Sequence, residues 1–350
     1  MPCTDHCKGW FNVSTSAMEE YQTLAYDTAL STLVAVLVYV LLKVSVDGYR
    51  QWRARVKVLI VGSGPVGLTA ALIAARSGKV QRLVLLEERG RTALLARPQQ
   101  IALDPCSVRF LLELDVDFDN MEGCWHNEHF FTKVGVFQEY LLSLLEKKKQ
   151  EMDIQILLGT KFTEEYLKKI PTCELPRVIV VCDGSCGGSS SVLGVSSDYI
   201  VESCNAYGAN AAIERADQRQ IMRNIFHQSF NAYKTDIEPR VNDLTIHLLQ
   251  CSRRLFEIML SHRRVTAAYI EGDNVAVTIE GEAARVLNFD TGCGVNLGLK
   301  GLESLDEFIH KMATAVDQSD VFEALSEKIR HSKQIAEDFR LNGLTATMFQ

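Results

Sequence analysis

The stretch from Lys57 to Gly78, KVLIVGSGPVGLTAALIAARSG, and the KVQRLVLLEERG that follows it leave few folds open. Lys57 to Val61 reads as a short buried strand, Leu68 to Arg76 has helical periodicity, and Gly78 is a helix stop. Gly62, Gly64 and Gly67 between them suit a strand-to-helix turn that holds a pyrophosphate, and Pro65 lies within that turn. Gly62 permits the tight turn, Gly64 lets backbone N–H groups approach phosphate oxygens, and Gly67 lets the helix close on the strand. A second strand, Leu83 to Leu86, ends at Glu87, whose carboxylate can accept hydrogen bonds from ribose hydroxyls. An acid there argues against NADP, whose 2′-phosphate prefers a basic neighbour. A lone GxGxxG is weak, but this one follows a strand, opens a helix and is answered by an acid at the next strand end. A unit of this shape that holds no ligand is the bland alternative.

With 350 residues, nearly half of them hydrophobic, the chain can bury a nucleotide domain and a smaller second region. The net charge of −7 comes without a long basic run, which argues against nucleic acid as a partner. The ten cysteines are scattered, and Cys182 and Cys251 sit in apolar surroundings, so they read as reduced core residues. No metal is expected. Cys3, His6 and Cys7 have no second ligand pair, and His126 and His129 are three apart in what reads as a solvated loop. No GxSxG elbow, Walker loop, HExxH or paired CxxC supports a hydrolase, kinase or zinc enzyme.

Residues 29–46, ALSTLVAVLVYVLLKVSV, form an apolar run just long enough to span a bilayer, with Lys43 placed to snorkel. Tyr26 precedes it, and Tyr49 and Trp52 follow it, as interfacial aromatics. It is longer than a signal-peptide core and lacks a basic n-region. Asp5, Glu19, Glu20 and Asp27 lie before the run and Arg50, Arg53, Arg55 and Lys57 after it, so the tail of residues 1–28 is expected in the lumen or outside, and the large remainder in the cytosol. A single-pass protein of the endoplasmic reticulum is the favoured location. Asn12-Val13-Ser14 is a glycosylation sequon on that tail.

The nucleotide unit, with VGSGPVGLTAALIAARSG and LLEER, resembles the FAD-binding start of the p-hydroxybenzoate-hydroxylase-like flavoprotein monooxygenases, relatives of which include squalene epoxidase and the MICAL monooxygenase domain. Later stretches follow in the family's order. ARPQQIALDPCSVRFLLEL is similar to the segment that places an arginine near the flavin, the matching position being Arg97. An amphipathic helix from Phe137 to Lys149 leads to the strand IQILLG, and RVIVVCDG resembles the strand ending in Asp-Gly, here Asp183-Gly184. TGCGVNLGLKGLESLDEFI is similar to the second flavin motif, a glycine turn opening a helix; Gly292, Gly294 and Asn296 would face the flavin, unless they are only a turn and a cap. FAD is the cofactor that the resemblance implies, with NAD(P)H as its reductant.

Two departures stand against it. The family's Gly-Asp pair, whose acid contacts the ribityl or phosphate part of FAD, is expected upstream of the glycine turn, yet RVLNFDTGCG offers only Asp290. After Asp183-Gly184 the run SCGGSSSVLG reads as a loose Gly/Ser loop. Between the motifs a strand is expected at Tyr199 to Ser203, helices at Arg215 to Tyr233 and Asn242 to Arg263, and a hairpin at Val265 to Ile279 turning at Gly272-Asp273-Asn274.

The fold expected is therefore α/β: a Rossmann-like FAD/NAD(P)-binding domain with a reduced α+β substrate region, preceded by one transmembrane helix. Residues 56–194 form the first part of the FAD domain, 195–285 the substrate region, and 286–350 the return segment and C-terminal helices. The function implied is oxygenation of a small apolar molecule by FAD, NAD(P)H and oxygen. A catalytically impaired nucleotide-binding or membrane-tethered interaction protein, and another FAD-dependent reductase, remain as alternatives; no feature names a protein partner.

Overall fold

The computed structural model describes residues 8–126, 128–203, 259–287 and 293–342. The chain divides into two units, the second beginning at Arg55. The described part of the first is one helix, α1 (Lys8–Arg53). Within it Thr28–Tyr49, 22 residues, is long and apolar enough to cross a membrane; at 1.5 Å per residue it measures roughly 33 Å, about a hydrocarbon core. The segment expected as a tail is thus helical from Lys8 onward. Only Gly9 and no proline interrupts residues 8–28, so nothing there stops the helix from extending. Leu30, Leu33, Leu37 and Leu41 are all exposed.

The second unit is built on β1 (Val56–Val61), α2 (Pro65–Arg76) and β2 (Val80–Glu87). The helix α3 (Arg91–Leu95), the strand β3 (Gln100–Leu103) and the helix α4 (Pro105–Glu113) follow. A hairpin of β4 (Cys124–His126) and β5 (His129–Lys133) leads into α5 (Val134–Lys148) and β6 (Asp153–Leu158). Next come α6 (Glu164–Lys169), β7 (Val178–Val181), α7 (Ser189–Val192) and β8 (Tyr199–Ser203). Beyond the undescribed stretch lie β9 (Met259–Arg263), β10 (Ala267–Ile270), β11 (Val275–Ile279) and β12 (Arg285–Leu287). The chain closes with α8 (Cys293–Leu302), α9 (Leu305–Thr314) and α10 (Gln318–Asn342).

Five strands run parallel in the order β11-β7-β1-β2-β6, and β10 adds antiparallel at the β11 edge. Alternation along β1 feeds both faces. Val58 and Ile60 pack with Leu68, Leu72 and Phe137 on one side, while Leu59 and Val61 pack with Val181, Val277 and Ile279 on the other. Helices on a sheet buried from both faces are the layering that continuous apolar strands demand. The sheet reverses its direction of growth between β1 and β7, so the ends of β1, β2, β7 and β11 open on one crevice. Two antiparallel sheets of three strands, β3-β5-β4 and β12-β9-β8, complete the described elements.

Several expectations are corrected. Met259–Arg263, read as the end of a helix, is the central strand between β8 and β12; strand pairing on both sides outweighs its local periodicity. The rest of that pattern, and Arg215 to Tyr233, lie outside the described residues. The hairpin turning at Asn274, whose φ is +54°, belongs to the main parallel sheet through β11 and β7. His126 and His129 end paired strands and are not in a loose loop. The Gly/Ser run after Asp183 is a turn that leads into α7 (Ser189–Val192), with Ser189 and Ser190 buried.

Candidate nucleotide-binding site

Gly62 leaves β1 with φ +97°, and a Cβ there would overlap the carbonyl of Cys182. A Cβ at Gly67 would overlap the carbonyl oxygen of Gly62, so this glycine is what lets α2 begin against the strand. Gly64 is different: a Cβ there would meet nothing within 4 Å. The fold does not need Gly64 to be small, so its bare face is space for something that approaches the loop. Pro65 opens α2, where its missing N–H costs no hydrogen bond.

Glu87 reaches this loop from the end of β2. Its Oε2 accepts from the Ser63 amide at 2.8 Å and the Ser63 hydroxyl at 2.9 Å, and its Oε1 accepts from the Arg89 amide at 2.9 Å. A carboxylate has about four acceptor sites, so three are engaged by the protein and a ribose would share the remainder. On the other side of the loop Gln138, fully buried on α5, donates from Nε2 to the Ser63 carbonyl at 2.9 Å. Its Oε1 is buried and has no hydrogen-bond partner among the described residues.

Asp183 ends β7 across the crevice, and its Oδ2 accepts from the Ser189 amide at 2.9 Å. A side chain at Gly187 would overlap the Asp183 carboxylate, so the glycine lets the loop wrap that acid. Arg97 is half-buried between α3 and β3. Its carbonyl accepts from the Gly135 amide at 3.3 Å, and its guanidinium has no hydrogen bond or ion pair among the described residues.

The second glycine motif is only partly described: Gly292 lies outside the described residues, while Gly294 sits in the first turn of α8. Asn296, expected to face the flavin, is buried with both ends of its amide committed. Nδ2 donates to the Ala102 carbonyl at 2.8 Å, and Oδ1 accepts from the Asp104 amide at 3.2 Å. Asp104 in turn caps α4 by accepting from the Ser107 amide at 2.7 Å. Asn296 is therefore a clamp joining α8 to the β3–α4 corner.

Sequence reading passed over Gly281-Glu282, a glycine followed by an acid at the end of β11. Gly281 follows β11 with φ +62°, and a Cβ there would lie 3.1 Å from the Val66 Cβ in the first turn of α2. A Cβ at Gly298 of α8 would overlap the Val66 side chain. Glu282 is exposed, and its Oε1 lies 3.4 Å from where a Gly294 Cβ would stand. The pair thus joins the ends of β1, β2 and β7 at the crevice. Glutamate in place of aspartate hid it; Gln138, a polar residue on the core register of an apolar helix, was also passed over. That misplaced polarity was the available signal.

No protein-family model matches the chain, and no curated protein matches it. Among solved structures, p-nitrophenol 4-monooxygenase PnpA from Pseudomonas putida DLL-E4 is similar at 15% identity and a TM-score of 0.47, over 81% of this chain and 88% of that one. Tetracycline destructase Tet(51) is similar at 11% identity and a TM-score of 0.46, over 82% and 88%. A variant of MHPCO is similar at 13% identity and a TM-score of 0.45, over 84% and 96%. These likenesses are low and carry no functional inference.

Proposed function

We propose that this protein is a membrane-anchored, FAD-dependent oxidoreductase of the monooxygenase kind, acting with NAD(P)H and oxygen on a small apolar molecule. The observation that carries the reading is the bare face of Gly64, where a side chain would meet open space, on a loop that Glu87 holds from the end of β2 through the Ser63 amide and hydroxyl. A pyrophosphate suits that face, and the acceptor capacity left on Glu87 suits a ribose.

In this reading Gly62, Gly64, Pro65 and Gly67 hold the pyrophosphate with backbone N–H groups at the start of α2, and Glu87 takes the adenosine ribose with its remaining acceptor capacity. Glu282 serves as the acid toward the ribityl or phosphate part, with Gly294 in the first turn of α8, and Gly292 of the same motif, toward the ring. Arg97, whose guanidinium has no partner among the described residues, and Asp183, with one carboxylate oxygen left over, line the rest. When bound, FAD supplies the redox chemistry, taking hydride from NAD(P)H and passing electrons to oxygen. The protein's share is to bind, orient and exclude water. Gly281-Glu282 offers a candidate for the glycine–acid pair, which favours this reading over a catalytically impaired site.

The apolar stretch of α1 supports the anchor. Its leucines are exposed, and apolar surface on that scale requires a covering phase, which a bilayer is. The charge asymmetry of its flanks favours a cytosolic nucleotide unit, and the endoplasmic reticulum is the membrane we propose.

The test is the absorbance spectrum of detergent-solubilised protein, then NAD(P)H consumption against peroxide release. Flavin bands near stoichiometric amounts with coupled turnover support the proposal. A colourless protein that takes up no added FAD sinks it, and NAD(P)H oxidation without oxygen transfer points to a reductase. Protease added to intact microsomes should digest the C-terminal unit; its protection would reverse the orientation.

A further inference from the structure

One carboxylate and two cations are buried where the main sheet ends. Glu280 follows β11, Arg285 opens β12 and Lys328 comes from α10, at 1%, 3% and 3% exposure. Lys328 Nζ lies 2.8 Å from Glu280 Oε1, which also accepts the Thr278 hydroxyl at 2.7 Å. Arg285 Nη2 lies 3.3 Å from Glu280 Oε2. The ammonium also donates to the Gly301 carbonyl and the Ser304 hydroxyl, both at 2.9 Å, where α8 ends and α9 begins. Arg285 Nε and Nη1 have no hydrogen-bond partner among the described residues.

Stability does not account for such a cluster. Removing three charges from water costs several kcal/mol per ion in effective terms, and apolar replacements of similar volume are often as stable or more so. What the ions do is fix geometry, because a carboxylate gripped at both oxygens cannot rotate. The grip falls on one feature. Glu280 immediately precedes Gly281-Glu282, and Arg285 closes the same turn. From the opposite side Arg263 Nε donates to the Ala283 carbonyl at 2.7 Å, and the Arg263 amide donates to the Ala284 carbonyl at 2.8 Å. Every residue of the turn but one is buried, and the exception is Glu282.

We propose that Lys328 is a positioning residue for the nucleotide site: through Glu280 it ties α10 to the Gly281-Glu282 turn and sets where the Glu282 carboxylate stands beside α8. The inference deepens the FAD reading and rests on it for the ligand. A C-terminal helix far along the chain thereby controls the affinity of a site built mostly from the first half of the nucleotide unit.

The experiment is an FAD titration of the full detergent-solubilised chain carrying Lys328→Met or Lys328→Arg, with thermal midpoints in parallel. The Met variant should bind FAD roughly tenfold more weakly, the scale of one charge-assisted hydrogen bond, when titrated well below its own thermal midpoint, which the broken ion cluster lowers, and the Arg variant should recover most of the affinity. Affinity unchanged in the Met variant, or equally weak in both, overturns the proposal. If the parent itself takes up no FAD, the nucleotide reading fails separately, and amide exchange at residues 281–284 then decides: faster exchange in the Met variant and recovery in the Arg variant uphold the clamp, and equal rates refute it. Should the Met variant fail to fold, Thr278→Val, which strips one donor from the same carboxylate oxygen, replaces it under the same outcomes.

Discussion

Gln138 and Ser63 come from elements far apart in sequence, have no exposed surface, and are joined by one hydrogen bond of 2.9 Å from the Gln138 amide to the Ser63 carbonyl. The bond spends one end of the glutamine on the glycine loop and leaves its Oε1 without a donor beside it. Ser63 is also held from below, since its amide and hydroxyl both donate to Glu87 Oε2. The loop is thus fixed from two sides before any ligand arrives, which lowers the ordering cost of binding.

Replacing Gln138 with leucine keeps the volume and removes the orphaned oxygen, so the fold should survive, with a cost of about 1–3 kcal/mol for the stranded Ser63 carbonyl. If the anchor on the Ser63 carbonyl orders the loop ahead of binding, FAD affinity falls by about tenfold, the scale of one lost net hydrogen bond. Flavin titration against urea unfolding separates the two effects. A destabilised variant with parental affinity would remove Gln138 from the site.

Gly64 and Gly67 stand three residues apart in one motif and should fail in opposite ways. A side chain at Gly64 meets open space, whereas one at Gly67 overlaps the Gly62 carbonyl. Gly64→Val should therefore leave the thermal midpoint near that of the parent and abolish FAD retention by filling the pyrophosphate's place. Gly67→Ala should lose the fold itself, because the backbone must shift to admit a methyl group. Flavin content and circular dichroism on both variants are the measurements. A Gly64→Val protein that still carries stoichiometric flavin would place the nucleotide elsewhere.

The strand–glycine–helix–strand–acid unit was legible because each residue there is dictated by local backbone needs, as Gly62 at φ +97° and Glu87 at the end of β2 show. Other features depend on partners distant in sequence, which no local pattern encodes. Met259–Arg263 reads as helix but is a strand because β8 and β12 flank it. SCGGSSSVLG reads as a loose loop but is wrapped on Asp183. Asn296 carries the residue type of a flavin contact, yet the corner formed by Ala102 and Asp104 takes both ends of its amide. Gly281-Glu282 was missed because its acid is one methylene longer than the pattern sought.

Asn296→Ala should accordingly act on stability more than on binding. It strands the Ala102 carbonyl and the Asp104 amide, two groups in a buried corner, at about 1–3 kcal/mol for each group left unsatisfied. Denaturant unfolding should show the loss, with flavin affinity changed only as far as α8 shifts. A variant of parental stability that no longer binds FAD would return Asn296 to the ligand's side.

The buried ion cluster gives stability a dependence on alkaline pH whose sign is set by burial. Desolvation lowers the pKa of Lys328 below its ordinary 10.5, with Glu280 opposing through its charge and hydrogen bond and Arg285 adding to the lowering. The folded value lies below the unfolded one, so folding releases a proton between the two, and stability rises with pH across that interval. Below it, the cost of keeping the ammonium charged is present in full. Cys182 works the other way. Burial first, then the charges of Glu280 and Asp183, push its thiol well above 9.0, so the unfolded chain ionises first and stability is lost as pH climbs past 9.0. Lys328→Met also pushes the Cys182 thiol further up, because the ammonium lowers it in the parent, so the comparison is made in a Cys182→Ala background, where the lysine is what differs. Urea unfolding from neutral pH upward should show that difference moving in the parent's favour as pH rises toward 10.5. A difference that stays flat over the whole range would mean that Lys328 titrates alike in folded and unfolded chains, and is not buried beside Glu280 in solution.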